Sequence, residues 1–216
     1  MPTLETIAET IHADLEARTA ARDRALTNAR QLVRACAHAI RAVHRDDHAQ
    51  AAERLAAARA LADELRTDLA AFPELYYAGY TQDALKEFAE ASIVHALTNG
   101  GEIPAPADLG IPSSAYIRGL AETVGELRRR VLDLLRHGYS PEIERLLGLM
   151  DDIYAVLVTM DYPDAVTHGL RRLTDIARSL LERTRGDVTL GLRQQVLEDA
   201  LHRLEERLGS SDENAD

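Results

Sequence analysis

The sequence predicts an all-α fold, and three observations point to it. Apolar residues recur three and four positions apart through most of the 216 residues, which is the period of an amphipathic helix. Strong helix formers, chiefly Ala, Leu, Arg and Glu, fill most of the chain. No stretch alternates polar and apolar residues in the manner of a half-buried strand. Glycine and proline interrupt the helical pattern at intervals, so we expect about seven helices.

The composition excludes several classes of protein. A single cysteine, Cys36, rules out internal disulfides and multi-cysteine metal sites. We expect no membrane segment, because no apolar run approaches the roughly 18 residues that a span requires. We also expect no secretory signal and therefore a cytoplasmic protein. The formal net charge of −11 argues against a nucleic-acid partner, although a local basic stripe can act against an acidic remainder.

The first predicted helix, about 3–45, carries an apolar seam and a basic stripe. The apolar seam consists of Leu4, Ile7, Ile11 and Leu15, followed by Leu26, Val33, Ile40 and Val43. The basic residues share one helical face because they are three or four positions apart: Arg30, Arg34, His38, Arg41 and Arg45. No acidic residue lies between Arg24 and Arg45, whereas a merely solvated face usually mixes charges for i,i+4 pairing. The stripe suits a polyanion, and a solvated surface helix is the alternative.

A second helix, about 48–71, is Ala-rich and can be capped by Asp47. We expect it to form an antiparallel hairpin with the first helix. Pro73 suits the first turn of a third helix, which continues to Thr98. Near its start, Tyr76 and Tyr77 could stack on nucleic-acid bases, and packing at a helix junction is the alternative.

The rest of the chain predicts four further helices. They lie at about 113–137, 141–160, 163–183 and 187–208. Arg185-Gly186 is expected to separate the last two, because glycine commonly follows the end of a helix. We expect residues 1–208 to form one domain and the acidic segment 209–216 to be a disordered tail.

Two of the predicted helices carry pairs of carboxylates. Glu87 and Glu90 are three residues apart, and Glu122 and Glu126 are four apart. Each pair therefore lies on one helical face, with Cβ atoms about 5–6 Å apart. If the two helices are neighbours, four carboxylates could hold a hard divalent cation, and oxygen ligands favour Mg²⁺ or Mn²⁺.

The same acids also have an ordinary explanation. With 36 acidic residues, such pairs arise by chance. Three basic residues stand at the i,i+4 spacing of surface bridges: Lys86 to Glu90, Arg118 to Glu122 and Arg130 to Glu126. Four carboxylates in a half-buried groove would repel one another unless a cation neutralised them. Spacing alone leaves the metal site and the solvated face as alternatives.

Three segments resemble the translin and translin-associated factor X family. They are 72–77 (F-P-E-L-Y-Y, against F-P-x-x-Y-Y), 85–91 (L-K-E-F-A-E-A, against L-Q-E-Y-V-E-A) and 116–127 (Y-I-R-G-L-A-E-T-V-G-E-L, against Y-L-x-G-V-A-D-L-T-G-E-L). The last two patterns belong to the factor-X branch. The similarity covers about residues 20–187, and the motifs occur in the family's order and spacing.

The resemblance implies a translin-like bundle of about seven helices, with long antiparallel helices, that assembles into a hollow octamer. It further implies that a factor-X-like chain cleaves single-stranded RNA with Mg²⁺ inside that shell. The catalytic and metal-binding carboxylates would then be Glu87, Glu90, Glu122 and Glu126. Position 122 departs from the family motif, which usually has Asp there, so its ligand oxygens shift by about one methylene.

Three hypotheses follow for the function. The first is a metal-dependent endoribonuclease that acts as a homo-oligomer, with Arg30, Arg34 and Arg41 holding the RNA backbone. The second is a non-catalytic translin-like shell that binds single-stranded RNA or DNA. The third is a helical scaffold whose acids are only solvated.

Overall fold

The computed structural model describes residues 2–212, and this part of the chain contains nine α-helices and no strand. In chain order they are α1 (Leu4–Val43), α2 (His48–Asp68), α3 (Pro73–Tyr76), α4 (Gly79–Thr98), α5 (Pro106–Leu109), α6 (Ser113–Leu135), α7 (Pro141–Val158), α8 (Asp164–Thr167) and α9 (Leu170–Asp212). The all-α prediction is therefore confirmed. None of these helices combines the length and the hydropathy needed to cross a bilayer.

The chain divides into two compact units. The first contains the residues up to Thr123 together with Ala165–His168, and the second contains Val124–Asp164 and the chain from Gly169 onward. Helix α6 contributes residues to both. The single domain predicted over 1–208 stays a prediction. Of the predicted tail 209–216, the first four residues lie in α9 and residues 213–216 lie outside the described part.

The first unit is built on α1, α2 and α4, which pack against one another. A short turn joins α1 to α2, and the Asp47 side chain caps α2 by accepting a hydrogen bond from the Gln50 amide (3.0 Å). Many of the buried residues of α1 and α2 are small, among them Ala21, Ala25 and Ala29 of α1 and Ala51, Ala58 and Ala62 of α2. Small side chains let the two helices approach closely, and the predicted hairpin is confirmed.

The second unit is built on α7 and α9, which pack against each other. Its buried residues recur at helical spacing: Ile143, Leu146, Met150, Ile153 and Leu157 of α7, and Leu170, Leu173, Ala177, Leu181 and Val188 of α9. Within the same unit, Arg128 of α6 donates a hydrogen bond to Thr184 Oγ1 (2.9 Å) and pairs with Asp187 (2.8 Å). These contacts fix α9 on both sides of residue 186.

The helix break predicted at Arg185-Gly186 is wrong, because α9 is continuous through both residues. A glycine inside a helix costs about 1 kcal/mol relative to alanine, which is too little to end a helix held by tertiary contacts. Here Arg185 Nη2 donates to Asp151 Oδ1 (2.6 Å), and Thr184 is fully buried. Tertiary packing therefore overrides the local preference.

Gly186→Ala is expected to stabilise the protein by about 0.5–1 kcal/mol, because alanine restricts the unfolded chain and fits a helix. Nothing lies within 4 Å of the Cβ that the substitution adds. Chemical denaturation followed by circular dichroism measures the change. Gly169→Ala is the matched control: its surroundings are equally open, but its φ of +88° makes alanine strained, so stability should fall. A loss at Gly186 similar to that at Gly169 would mean that the chain turns at residue 186 after all.

Candidate metal centre and arginine stripe

Gly119 brings α6 against the acid-bearing part of α4. A Cβ atom at this position would lie 2.6 Å from the carbonyl oxygen of Lys86, 2.7 Å from the Cβ of Ala89 and 2.9 Å from the amide nitrogen of Glu90. Real Cβ contacts are not this short, and two of these three atoms are backbone, which cannot rotate away. Only glycine therefore allows the two helices to approach so closely at this point.

The structure brings three of the four predicted carboxylates together. Glu87 and Glu90 of α4 and Glu122 of α6 each offer a carboxylate oxygen, and these oxygens all lie within 4.8 Å of one another. Glu90 is the most enclosed, with 8% of its surface exposed. The side chains of Glu87 and Glu122 are 28% and 30% exposed and lie at the rim. We call these three residues the carboxylate cluster.

Lys86 forms ion pairs with two acids of the carboxylate cluster. Its ammonium lies 2.9 Å from a carboxylate oxygen of Glu87 and donates a hydrogen bond to Glu122, and its side chain is only 13% exposed. Burial by itself lowers the pKa of Lys86, but the hydrogen bonds to Glu122 and Glu87 and the charges of both acids outweigh it, so the pKa is raised. The sequence predicted Glu90 as the partner of Lys86, whereas the structure pairs it with Glu87 and with Glu122 across the helix contact.

Arg118 also finds its partner across the helices. The sequence predicted a bridge to Glu122 one turn along α6, but Arg118 pairs instead with Asp83 of α4 (2.9 Å). Its side chain is 10% exposed, whereas that of Asp83 is 64% exposed. The close approach of α6 to α4 at Gly119 brings side chains of the two helices within reach of one another, which allows both pairs across the contact.

Glu126, the fourth predicted ligand, belongs to the second compact unit. There a carboxylate oxygen of Glu126 lies 3.8 Å from the guanidinium of Arg129 on the same helix. Among the residues with described side chains, the only group of three or more acids, cysteines or histidines with metal-ligand spacing is the carboxylate cluster. The assignment of Glu126 as a ligand stays a prediction.

The donor set fits a hard divalent cation. An octahedral Mg²⁺ shell at 2.0–2.1 Å places neighbouring oxygens about 3 Å apart and opposite oxygens about 4.2 Å apart. Oxygens within 4.8 Å of one another are close to the separations that this shell requires. The three carboxylates carry a formal charge of −3, most of which a single divalent ion neutralises. Mg²⁺ or Mn²⁺ therefore suits the cluster in both ligand type and charge.

Cys36 of α1 lies close enough to the cluster to feel its charges. Burial first, and then the charges of Glu87 and Glu90, raise the pKa of the Cys36 thiol. A thiol with a raised pKa stays protonated, and metals bind the thiolate. Cys36 therefore serves as a buried structural residue, and it identifies the side of α1 that faces the acids.

Three arginines of the basic stripe, which we call the arginine stripe, lie on the side of α1 opposite to Cys36. Arg30, Arg34 and Arg41 are all exposed, and no ion pair involves them within residues 2–212. At 100° per residue they stand about 120–160° around the helix axis from Cys36. They therefore face away from the carboxylate cluster, and their role as RNA-binding residues stays a prediction.

The two tyrosines of α3 differ in exposure. Tyr77 is 64% exposed, whereas Tyr76 is half-buried and meets the Tyr77 ring edge-on, with the ring centroids 5.2 Å apart. Burial raises the pKa of Tyr76. Its carbonyl oxygen accepts a hydrogen bond from Gln82 Nε2 (2.9 Å), which fixes the junction between α3 and α4. Packing accounts for Tyr76, and base stacking by either tyrosine stays a prediction.

Sequence reasoning missed Gly119 and the inward position of Lys86. A glycine inside a strongly helical segment often has a packing reason, so Gly119 carried a usable signal. Lys86 is the only lysine in a chain whose other basic side chains, apart from histidines, are all arginines. Neither signal identifies the contact between the helices, because Gly119 packs on α4 and Lys86 reaches Glu122 on α6.

Comparison with known proteins identifies the fold. No protein-family model matches the chain. An uncharacterised protein of Methanocaldococcus jannaschii, MJ0175, is 34% identical over 188 residues, which cover 85% of this chain and 82% of that protein. Two solved structures of AfC3PO, one of them a complex with duplex RNA, share 29% identity over 88% of this chain and 98% of theirs, with TM-scores of 0.82 and 0.81.

A more distant likeness concerns the fold alone. Apo-NeC3PO has a TM-score of 0.78 at 16% identity, covering 88% of this chain and 100% of that one. These archaeal and fungal C3PO structures are of the translin and translin-associated factor X type. Relatedness in sequence over most of the chain, together with the shared fold, shows that this chain belongs to the translin family.

Proposed function

We propose that the chain is a metal-dependent endoribonuclease that cleaves single-stranded RNA and works as a homo-oligomer, assembled as an octameric shell in the cytoplasm. The observation that carries this proposal is the carboxylate cluster, which gathers three acids at a glycine-mediated helix contact. The AfC3PO complex with duplex RNA supports RNA as the partner. Cleavage and the preference for single strands go beyond that complex.

In this proposal each acid has a separate role. Glu90 is held nearly buried and fixes the inner side of the site, while Glu87 and Glu122 offer oxygens at the rim, where a phosphate can reach them. A bound Mg²⁺ or Mn²⁺ would supply Lewis acidity at the scissile phosphate and lower the pKa of a water molecule. Glu126 is kept as a proposed fourth carboxylate on α6.

Two exposed apolar stripes support self-association. One lies near the start of α1 (Leu4, Ile7, Ile11 and Leu15) and the other near the end of α9 (Leu190, Leu197, Leu201 and Leu204). Between 42% and 86% of each residue's surface is exposed in the α1 stripe, and between 51% and 67% in the α9 stripe. Apolar residues that repeat at helical spacing without cover are typical of surfaces buried against another chain.

The test incubates the purified protein with fluorescent single-stranded RNA in Mg²⁺, in Mn²⁺ and in EDTA. We expect cleavage in both metals and none in EDTA, with single-stranded DNA and duplex RNA as comparison substrates. Binding in every buffer without any cleavage would support the non-catalytic shell, and no binding at low salt would support the scaffold. Light scattering should give about eight times the 23.8 kDa chain mass.

One observation favours the non-catalytic shell as a second candidate. Lys86 already pairs with Glu87 and Glu122, so two of the three acids have a counter-charge without a metal ion. A chain that only binds RNA would have no need to release this pairing. Metal-binding measurements therefore discriminate between the two candidates as directly as cleavage does.

Replacing Arg30, Arg34 and Arg41 by Gln should weaken RNA binding whatever its sequence, because arginine stripes contact phosphates. The slope of log K against log salt should become shallower by about 2, at about 0.7 per lost contact with a single strand. Fluorescence anisotropy at several salt concentrations measures both changes.

The matched control replaces Arg172, Arg183 and Arg193, which are exposed on α9, by Gln. This triple variant loses the same formal charge. If both triple variants weaken RNA binding equally, only the net charge matters, and the stripe is not the binding surface.

A further inference from the structure

Lys86 occupies the place in the carboxylate cluster that a cation would take. Its ammonium contacts two of the three acids, Glu87 and Glu122, which belong to different helices. Lys86 therefore bridges acids of two helices and does not form a simple pair with one acid at the surface. Its side chain is 13% exposed, whereas most ion-paired arginines of the protein have side chains that are 40% exposed or more.

The side-chain type fits this position. Every other member of the 25 lysines and arginines is an arginine. A guanidinium is a broad planar fork, whereas an ammonium is a compact point charge on a flexible stem. Of the two, only the ammonium has the size and mobility to sit among three carboxylate oxygens and to move away from them.

A metal ion in the carboxylate cluster would compete with the Lys86 ammonium for the carboxylates of Glu87 and Glu122. All three acids offer oxygens within 4.8 Å of one another, so a metal ion that engages them approaches the groups that Lys86 now binds. A metal ion held by these acids and the Lys86 ammonium would repel each other, because both are positively charged. Loading of the site therefore requires the ammonium to leave Glu87, Glu122 or both.

We propose that Lys86 is a tethered counter-cation, which holds the carboxylate cluster together in the metal-free protein and is displaced when Mg²⁺ or Mn²⁺ binds. This inference rests on the proposed function. Lys86 thereby lowers the apparent metal affinity and sets the metal concentration at which the enzyme becomes active. Without Lys86, the metal-free protein holds three clustered acids that only repel one another.

The test compares the full-length wild-type protein with Lys86→Gln. Isothermal titration with MgCl₂ and with MnCl₂ should show about tenfold tighter binding in the variant, a size common for groups that contact metal ligands. In EDTA the variant should melt at a lower temperature than the wild type, and saturating metal should raise its melting temperature more. Arg178→Gln, which removes an exposed pair with Glu182, is the control and should leave metal affinity unchanged.

A second measurement uses the wild-type chain and does not depend on the folding of any variant. Since Lys86 is the only lysine, acetylation by an N-hydroxysuccinimide ester modifies it and the terminal amine alone. The rate at Lys86, followed by peptide mass spectrometry, should rise several-fold in saturating Mg²⁺, with the terminal amine as internal reference.

The outcomes separate the inference from the proposed function. Metal binding by the wild type with equal or weaker binding by Lys86→Gln would overturn the inference and leave the metal site standing. A bound metal that leaves the acetylation rate of Lys86 unchanged would also overturn it. If neither protein binds Mg²⁺ or Mn²⁺, the metal-dependent nuclease and the inference both fail.

Discussion

Glu90→Gln is expected to lower the rate of metal-dependent RNA cleavage by at least about 10²-fold. Glutamine keeps the shape and volume of the side chain but removes one negative charge from the cluster. Glu90 is the most enclosed of the three acids and sits beside the helix contact at Gly119, so no neighbouring acid can easily replace it. Initial cleavage rates of a fluorescent single-stranded RNA in saturating Mg²⁺ measure the loss.

Two comparisons make the result specific. Glu64→Gln, on the exposed surface of α2, removes the same charge outside the cluster and should leave the rate unchanged. Circular dichroism and light scattering should show that Glu90→Gln retains the fold and the assembly, and anisotropy should show that it still binds RNA. Cleavage that persists in Glu90→Gln would mean that the carboxylate cluster is not the active site.

Gly119→Ala is expected to destabilise the protein by about 1–3 kcal/mol, the usual cost of overpacking a close contact. The new Cβ would lie 2.6 Å from the carbonyl oxygen of Lys86, so α6 has to move away from α4. For a chain of this size the melting temperature should fall by about 2–4 °C per kcal/mol. Metal affinity should fall as well, because the shift separates Glu122 from Glu87 and Glu90.

Gly148→Ala, in α7, is the control for this substitution. Nothing lies within 4 Å of the Cβ that it adds, so it should be neutral or stabilising by about 0.5–1 kcal/mol. Thermal melting of the two variants side by side separates the effect of crowding from that of the amino-acid change. Equal tolerance of both substitutions would contradict the close approach of α6 to α4.

The local signals in the sequence predicted the helices well where a cap or a proline marked an end. Asp47 caps α2, Pro73 begins α3 and Pro141 begins α7, as predicted, but the helix predicted to continue from Pro73 to Thr98 is divided into α3 and α4. At Gly186 the same kind of signal failed. Contacts from Arg128 and Arg185 hold α9 together there, and such contacts cannot be read from neighbouring residues.

The candidate site shows a similar division. Helical spacing predicted that Glu87 and Glu90 share a face, but not that Glu122 lies opposite them. The family resemblance supplied that pairing. Lys86 and Arg118 were predicted to pair with Glu90 and Glu122 on their own helices. Instead, Lys86 pairs with its neighbour Glu87 and with Glu122 across the helix contact, and Arg118 pairs with Asp83 across it. These partners depend on the distance between α4 and α6, and the contact of Gly119 with the backbone of α4 sets that distance.

The period of apolar residues also does not say what covers them. Leu4, Ile7, Ile11 and Leu15 form a regular seam in the sequence, and the structure leaves all four exposed. Their spacing is the same whether the covering surface comes from the same chain or from another copy. The structure of the single chain is needed to show that its own core does not cover these four residues.

The two sides of α1 bear on how an assembled particle would cut RNA. Cys36 faces the acids, whereas Arg30, Arg34 and Arg41 stand on the far side of the same helix. Under the proposed function, an RNA strand bound by these arginines would be separated from the acids of the same subunit by the body of the helix, whose full diameter is about 10–12 Å. Scission of a gripped strand would then fall to the acids of a neighbouring subunit. The smallest working unit would be a pair of subunits, one holding the strand and the other cutting it.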